Sequence, residues 1–245
     1  MNSLIVGASA GLGRALSNEL AVNGHNLVLV SSDKRDIEAV AADLRLRHGV
    51  IVRVVAGDVM DGDTYLTRIT KATDDMGGID GLFFPIGAVA DADVPGVKIA
   101  TMRRLMRINL LSVMETVTLF WPQLEQREKG IVVGFSSIAA SRGRRNNAAY
   151  SAAKRGLVSY FESLRQAAVG TGIRVQLYMP GYLDTGLAFG AKTLLLPPSR
   201  PEKLARKVVR RLSKDIGMSY FPIYWRPICE ILRLLPWSVY KKLDF

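Results

Sequence analysis

The stretch Leu4-Ile5-Val6-Gly7-Ala8-Ser9-Ala10-Gly11-Leu12-Gly13 constrains this chain more than any other. A short apolar run breaks into three glycines within seven residues, and Arg14 to Val22 then carries apolar residues at helical spacing. Strand, tight glycine turn and helix follow one another without a gap. Such a turn leaves backbone N–H groups at a helix N-terminus aimed at whatever lies above it, which makes a ready phosphate site. Glycine is needed where the backbone takes a positive φ or closely approaches a ligand. Taken alone, the stretch also fits a βα connection without a ligand, and its spacing is G-x-x-x-G-x-G rather than G-x-G-x-x-G. The rest of the chain has to decide.

Downstream, β-rich runs alternate with helical patterns. The runs are Leu27–Val30, Ile51–Val55, Gly81–Phe84, Ile131–Phe135, Arg174–Tyr178 and Gly217–Phe221. Between them lie predicted helices over Lys34–His48, Asp61–Thr73, Lys98–Gln126, Ala149–Val169 and Arg200–Lys214. Strands of continuous apolar character separated by helices indicate a buried parallel sheet. The expected class is α/β: a doubly wound parallel sheet of about seven strands with helices on both faces and ligand at the strands' carboxyl ends. No linker or internal repeat is visible before residue 190.

Composition narrows the function. The chain has 245 residues, 49% of them apolar, enough for a well-buried core. Its single cysteine, Cys229, allows no internal disulfide and fits a reducing, cytoplasmic compartment. His25 and His48 lie in separate segments without cysteine neighbours, so no metal is expected. The first strand begins next to Met1, which leaves no room for a secretory signal, and no apolar run reaches the roughly eighteen residues that span a bilayer. The net charge of +11 is uneven: residues 192–245 carry +8, and Arg142, Arg144 and Arg145 in the loop Ser141–Asn147 carry the other +3. That placement suggests phosphate-bearing partners or an anionic membrane surface. Nucleic acid is not expected, because no nucleic-acid-binding motif accompanies the charge.

Tyr150 and Lys154 stand at i and i+4, on one face of a predicted helix. A phenol titrates near pH 10, and a nearby cation lowers that value. Ser137 ends a predicted strand thirteen residues upstream, and Asn109 is a polar residue within the apolar surroundings of a long helix. These residues, with the glycine loop, resemble the short-chain dehydrogenase/reductase family over roughly residues 1–190. The motifs in register are Gly7, Gly11 and Gly13; Asp58-Val59; Asn109; Ser137; Tyr150 with Lys154; and Pro180-Gly181 with Thr185.

The resemblance implies a Rossmann-like fold, with residues 1–245 as a single dinucleotide-binding and catalytic domain and 215–245 as a basic, apolar C-terminal segment. It implies that Tyr150 protonates a carbonyl oxygen, that Lys154 lowers the Tyr150 pKa and holds the nicotinamide ribose, that Ser137 orients the carbonyl, and that Asn109 holds a water in the proton relay. Gly7, Ser9, Gly11, Leu12 and Gly13 would cradle the cofactor, Asp58 and Val59 would meet its adenine, and Gly87, Pro180, Gly181 and Thr185 would complete its site. Val6 stands where the family usually has Thr, and Pro85-Ile86-Gly87 replaces Asn-Ala-Gly. Those departures touch the bonding behind the glycine loop and no catalytic group.

Cofactor choice falls at the end of the second strand, where an acid selects NAD and hydroxyl or basic residues admit the NADP phosphate. Ser31 and Ser32, followed by Lys34 and Arg35, favour NADP(H) over NAD(H); a register slip that brought in Asp33 would reverse this. Arg144 and Arg145, in the loop bordering the substrate mouth, are candidate phosphate ligands. A tail stripe of Ile228, Ile231, Leu232 and Leu235, flanked by Trp225, Trp237, Arg233 and lysines, suits a membrane interface, a cover over a lipophilic substrate, or a helix packed on its own domain or a partner subunit. The arginine loop and the tail together resemble the family's decaprenylphosphoryl-2-keto-pentose reductases. The expectation is an NAD(P)H-dependent ketoreductase with a hydrophobic or lipid-phosphate-linked substrate, such as a polyprenyl-phosphate keto-sugar. It would be a homodimer or homotetramer paired through the helices at 98–126 and 149–169, cytoplasmic, with peripheral contact at the inner face of a membrane. The alternatives are a 3-oxoacyl or general alcohol/ketone reductase, and a non-catalytic cofactor sensor or scaffold.

Overall fold

The structure, a computed structural model, describes residues 1–91, 93–186 and 196–243. Seven strands form one sheet: β1 (Asn2–Val6), β2 (Asn26–Ser31), β3 (Val52–Ala56), β4 (Gly81–Phe84), β5 (Gly130–Phe135), β6 (Ile173–Pro180) and β7 (Met218–Phe221). Their order is β3-β2-β1-β4-β5-β6-β7, and every pairing is parallel. The order reverses between β1 and β4, and such a switch point opens a crevice above the strands' carboxyl ends.

Alternation along the strands divides the core in two. Leu4, Val6, Val28, Val30, Leu82 and Phe84 point to one face, where they meet α3 (Asp63–Asp74), α5 (Ser112–Gln126) and α6 (Ala148–Ala167) through Ile69, Val117 and Phe161. Ile5, Leu27, Leu29 and Phe83 point to the other, against α1 (Gly11–Val22), α2 (Lys34–His48) and α7 (Pro201–Val209) through Leu16, Ile37 and Leu204. A side chain of this size contributes about 1.5–3 kcal/mol when fully buried, so a one-residue slip of any central strand would be heavily penalised.

Three expectations need adjusting. The long helix predicted over Lys98–Gln126 is α4 (Ile99–Met106) and α5 joined by a π-helical turn over Arg107–Leu111. The helix predicted over Arg200–Lys214 ends at Val209. Beyond it, β6 side chains take the carbonyls: Gln176 Nε2 donates to Arg211 O and Lys214 O, each at 2.7 Å, and Arg174 Nε donates to Leu212 O at 2.9 Å.

The third adjustment concerns the tail. It forms α8 (Trp225–Leu234), breaks at Pro236 and resumes as the short α9 (Trp237–Tyr240), with Asp244 and Phe245 outside the described residues. Trp225 and Cys229 are buried, Ile228 packs on the core, and Leu232 and Leu235 are half-buried, so the predicted stripe mostly faces its own domain. Of that stripe only Ile231 is exposed; it joins Leu234 and Trp237 in a second apolar set turned outward.

Candidate active site

The glycine loop is built by close approach of backbone to backbone. Gly7 has φ +90°, and a Cβ there would lie 2.8 Å from Ile86 Cα on the next strand's exit. A Cβ on Gly13 would fall 1.8 Å from Gly7 O, so no side chain fits where α1 crosses the loop. Gly11, at φ +48°, brings the turn against Thr185, whose Cγ2 would be 3.0 Å from an added Cβ. Val30 O accepts from the N–H of both Gly7 (2.9 Å) and Ala8 (3.0 Å), which holds the loop to β2. Ala10 caps α1 without any side-chain bond, so the first-turn amides have no side-chain acceptor. A cradle that only glycine permits, at an uncapped helix N-terminus, fits a dinucleotide pyrophosphate.

One cavity of about 1080 Å³ runs from this loop to the far side of the sheet. At the loop end it is lined by Gly7, Ser9, Gly11 and Leu12, then by Ser31, Ser32, Asp58 and Val59. Ser31 Oγ donates to Ser9 Oγ at 2.8 Å and accepts from Asp33 N–H at 3.1 Å. Asp33 itself lies outside the lining: its carboxylate caps α2, accepting from Asp36 N–H at 2.9 Å. Lys34 and Arg35 are exposed and also outside it. Asp58 lines the cavity while capping a short 3-10 turn, accepting from Met60 N–H at 2.9 Å.

At the other end the same cavity is lined by Gly87, Ser137, Tyr150 and Lys154, with Pro180, Gly181 and Thr185 along its side. The i,i+4 spacing on α6 brings Lys154 Nζ to 5.9 Å from the Tyr150 ring centre. The buried ammonium donates to Phe135 O at 3.0 Å and Ile86 O at 3.3 Å. Burial lowers the Lys154 pKa to about 8. Burial also raises the Tyr150 pKa, against the opposing pull of its hydrogen bond with Ser137 and of the Arg144 charge. The lowered Tyr150 value that the resemblance implies is therefore not found in this chain by itself, because removing the phenol from water outweighs both pulls. Ser137 begins a 3-10 turn, and its Oγ accepts from Ala139 N–H at 3.1 Å.

Three predicted site residues lie off the cavity. Gly13 acts behind the loop, as described. Asn109 is fully buried in the π-helical turn and does not line the cavity. Its Oδ1 accepts from Ala88 N–H at 3.1 Å, while Nδ2 donates to Ala88 O at 2.8 Å and Leu105 O at 2.9 Å. π-Turns of this kind often mark functional sites; here the turn aims the Asn109 side chain at the strand-exit segment. A Cβ on Gly87 would sit 3.4 Å from Asn109 Oδ1 and 3.7 Å from Lys154 Nζ, so glycine lets all three groups crowd together.

Arg145 is the third. It is exposed and outside the lining, whereas Arg144 lines the cavity. Arg142 faces the tail: its Nη1 donates to Leu232 O at 2.7 Å and Leu235 O at 2.6 Å, and its guanidinium lies 3.9 Å from the Tyr240 ring centre. Tyr240 in turn donates to Gly143 O at 2.6 Å. The tail therefore staples the arginine loop, and only Arg144 of the three turns to the cavity. Arg104 on α4 lines the cavity as well. Nothing in the sequence separates it from Arg103 or Arg107, since only the tertiary fold places this exposed arginine at the cavity.

A dinucleotide-type crevice with a tyrosine, serine and lysine at one end defines an oxidoreductase of the doubly wound class. A family model described as short chain dehydrogenase matches residues 2–192, and the chain belongs to that family. It is an NAD(P)-dependent enzyme of the short-chain dehydrogenase/reductase type. An uncharacterised oxidoreductase from Myxococcus xanthus is 32% identical, covering 76% of this chain and 73% of its own. A ketoacyl reductase from a Nostoc species is 28% identical, covering 85% of this chain and 74% of its own. A short-chain dehydrogenase from Sphingobium yanoikuyae, solved in complex with NADPH, superposes with a TM-score of 0.83 at 21% identity, covering 99% of this chain and 96% of that one.

Proposed function

We propose that this chain is an NADP(H)-dependent ketoreductase, and that residues 1–245 act as one dinucleotide-binding and catalytic unit. The observation that carries the reading is a single cavity lined at one end by Gly7, Gly11 and Leu12 and at the other by Ser137, Tyr150 and Lys154. Bound there, the nicotinamide supplies the hydride. The chain's own residues manage the proton. A phenol titrates near pH 10 and is protonated at neutral pH, so Tyr150 carries an Oη proton to give to the ketone oxygen. Ser137, bonded to that phenol, orients the same oxygen. Lys154 is held by two carbonyls beside the tyrosine, where it would meet the ribose of a bound cofactor. Asn109 anchors Ala88 and so keeps the segment beneath Lys154 in place.

The preference for NADP(H) rests on Ser31 and Ser32 lining the cavity while the Asp33 carboxylate is engaged as a helix cap. The substrate reading rests on Arg104 and Arg144 at the cavity, two guanidiniums suited to a phosphate. A ketone carried on a polyprenyl phosphate would use them together with the outward apolar residues Ile231, Leu234 and Trp237. Those residues, with exposed Arg226, Arg233, Lys241 and Lys242, favour peripheral contact with an anionic membrane from the cytoplasmic side. Exposed Ile99, Met102, Leu111 and Leu119 along the helices at 98–126 favour a homodimer or homotetramer. The ketoacyl reductase relative favours a second reading, reduction of 3-oxoacyl groups.

The test is cofactor oxidation over a panel of keto-sugar phosphates, 3-oxoacyl thioesters and steroid ketones. NADPH should support turnover at least about tenfold more efficiently than NADH, as one well-placed charge-assisted contact allows. Equal efficiency would overturn the cofactor preference, and turnover of 3-oxoacyl thioesters alone would establish the second reading. Vesicle flotation tests the tail: Ile231→Ser, Leu234→Ser and Trp237→Ser combined should abolish recovery with anionic vesicles. Wild type that never floats would refute the contact.

A further inference from the structure

Asp93 is a buried carboxylate that none of the roles above employs. It lies on the connection between β4 and α4, only 1% exposed, and its oxygens face the start of α6. Its Oδ1 accepts from Ala149 N–H and its Oδ2 from Tyr150 N–H, both at 2.8 Å. Its backbone carbonyl accepts from Ala148 N–H at 3.0 Å. Asn147, the residue that caps α6 by position, contributes no side-chain bond. The first three amides of the helix bearing Tyr150 and Lys154 are thus held by a residue 56 positions before Ala149.

We propose that Asp93 is the positioning residue for Tyr150. The segment it ends is tethered three times to the same machinery. Ile86 O accepts from Lys154 Nζ, Ala88 is gripped at both its N–H and its C=O by Asn109, and Asp93 grips the Tyr150 amide. The tethers at Ile86, Ala88 and Asp93 therefore set the tyrosine, the lysine and the π-turn at fixed separation. A carboxylate suits the last tether because it presents two acceptors at once, and its negative charge complements the positive end of α6. An asparagine would offer one acceptor and turn an NH₂ group toward the other amide. The inference rests on Tyr150 being the proton donor, since only then does a small tilt of its helix end reach the chemistry.

The test uses full-length Asp93→Asn and Asp93→Ser. Both should lower kcat by roughly 10- to 100-fold while NADPH affinity and the ketone KM stay within about twofold, because a misplacement near 1 Å costs about that much in rate. Amide exchange should quicken at 148–150 and stay unchanged through the rest of α6. In a Tyr150→Phe background, Asp93→Asn should add no further loss to the residual rate, as expected of groups acting as a unit. Wild-type kcat in both variants, or an additive loss in the double variant, would overturn the proposal. So would a parallel fall of kcat, cofactor affinity and thermal midpoint, which marks a structural role only. If Tyr150→Phe alone leaves turnover intact, the proton-donor reading fails instead, and the exchange data still report whether Asp93 holds the helix end.

Discussion

One end of the cavity is made of backbone and the other of side chains. At Gly7, Gly11 and Gly13 themselves the chain leaves no room for a side chain: added Cβ atoms would fall 2.8 Å from Ile86 Cα, 3.0 Å from Thr185 Cγ2 and 1.8 Å from Gly7 O. Around Tyr150 the geometry comes from side chains gathered out of α4, the π-turn, the arginine loop and α6. A backbone site is specified by what it omits, and omission is visible as glycine. A side-chain site is specified by tertiary placement, which sequence spacing reports only where two residues share an element. The two ends should therefore fail differently when altered.

The largest effect is expected at the backbone end. Gly13→Ala forces a Cβ into Gly7 O, costing about 3 kcal/mol or more, read as roughly a hundredfold or greater loss of cofactor affinity. Calorimetric titration with NADPH checks it, and unchanged affinity would break the comparison. Arg144→Gln at the side-chain end should leave cofactor affinity alone. It should raise KM for phosphate-bearing ketones about 10- to 100-fold over neutral ones, the worth of one charge-assisted bond. Ser32→Asp sharpens the contrast within the cofactor end, and should shift relative kcat/KM toward NADH by about tenfold as a carboxylate repels the extra phosphate.

The smallest effect lies outside both ends. His25, buried at the foot of the sheet beside Ser3 Oγ at 2.8 Å, has its pKa lowered to about 4, chiefly by burial. The unfolded chain titrates near 6.5, so it binds the proton first on acidification and stability falls as pH drops from 6.5 toward 4. Denaturant titrations should show about 1 kcal/mol lost by pH 5.5, a loss absent in His25→Gln. NADPH affinity should track neither.

The sheet was legible because its strands are continuously apolar. Gly81–Phe84 was bounded correctly, since Gly81 and Pro85 punctuate it. Ser137, Tyr150 and Lys154 were legible as a set of residue types at spacings that a family shares. Asn109 was visible, but its partner Ala88 was not, because nothing in the helical pattern betrays the π-turn that aims it. The three loop arginines look alike in sequence; the tail carbonyls at Leu232 and Leu235 claim Arg142, and the fold leaves Arg145 outside. The tail stripe left its alternatives open for a related reason. Helical spacing gives an amphipathic face, and it does not say whether that face meets solvent or the protein's own core. Asp93 carried no signal, for Asp91 two residues earlier has the same chemistry, and only folding decides which reaches α6.

Tyr150→Phe tests the division of labour most directly, with NADPH affinity and ketone turnover measured on the same preparation. NADPH affinity should stay within about twofold of wild type and turnover should fall by roughly 10²–10⁴-fold, the usual worth of a positioned proton donor. Turnover at the wild-type rate, or cofactor affinity lost in step with activity, would contradict it.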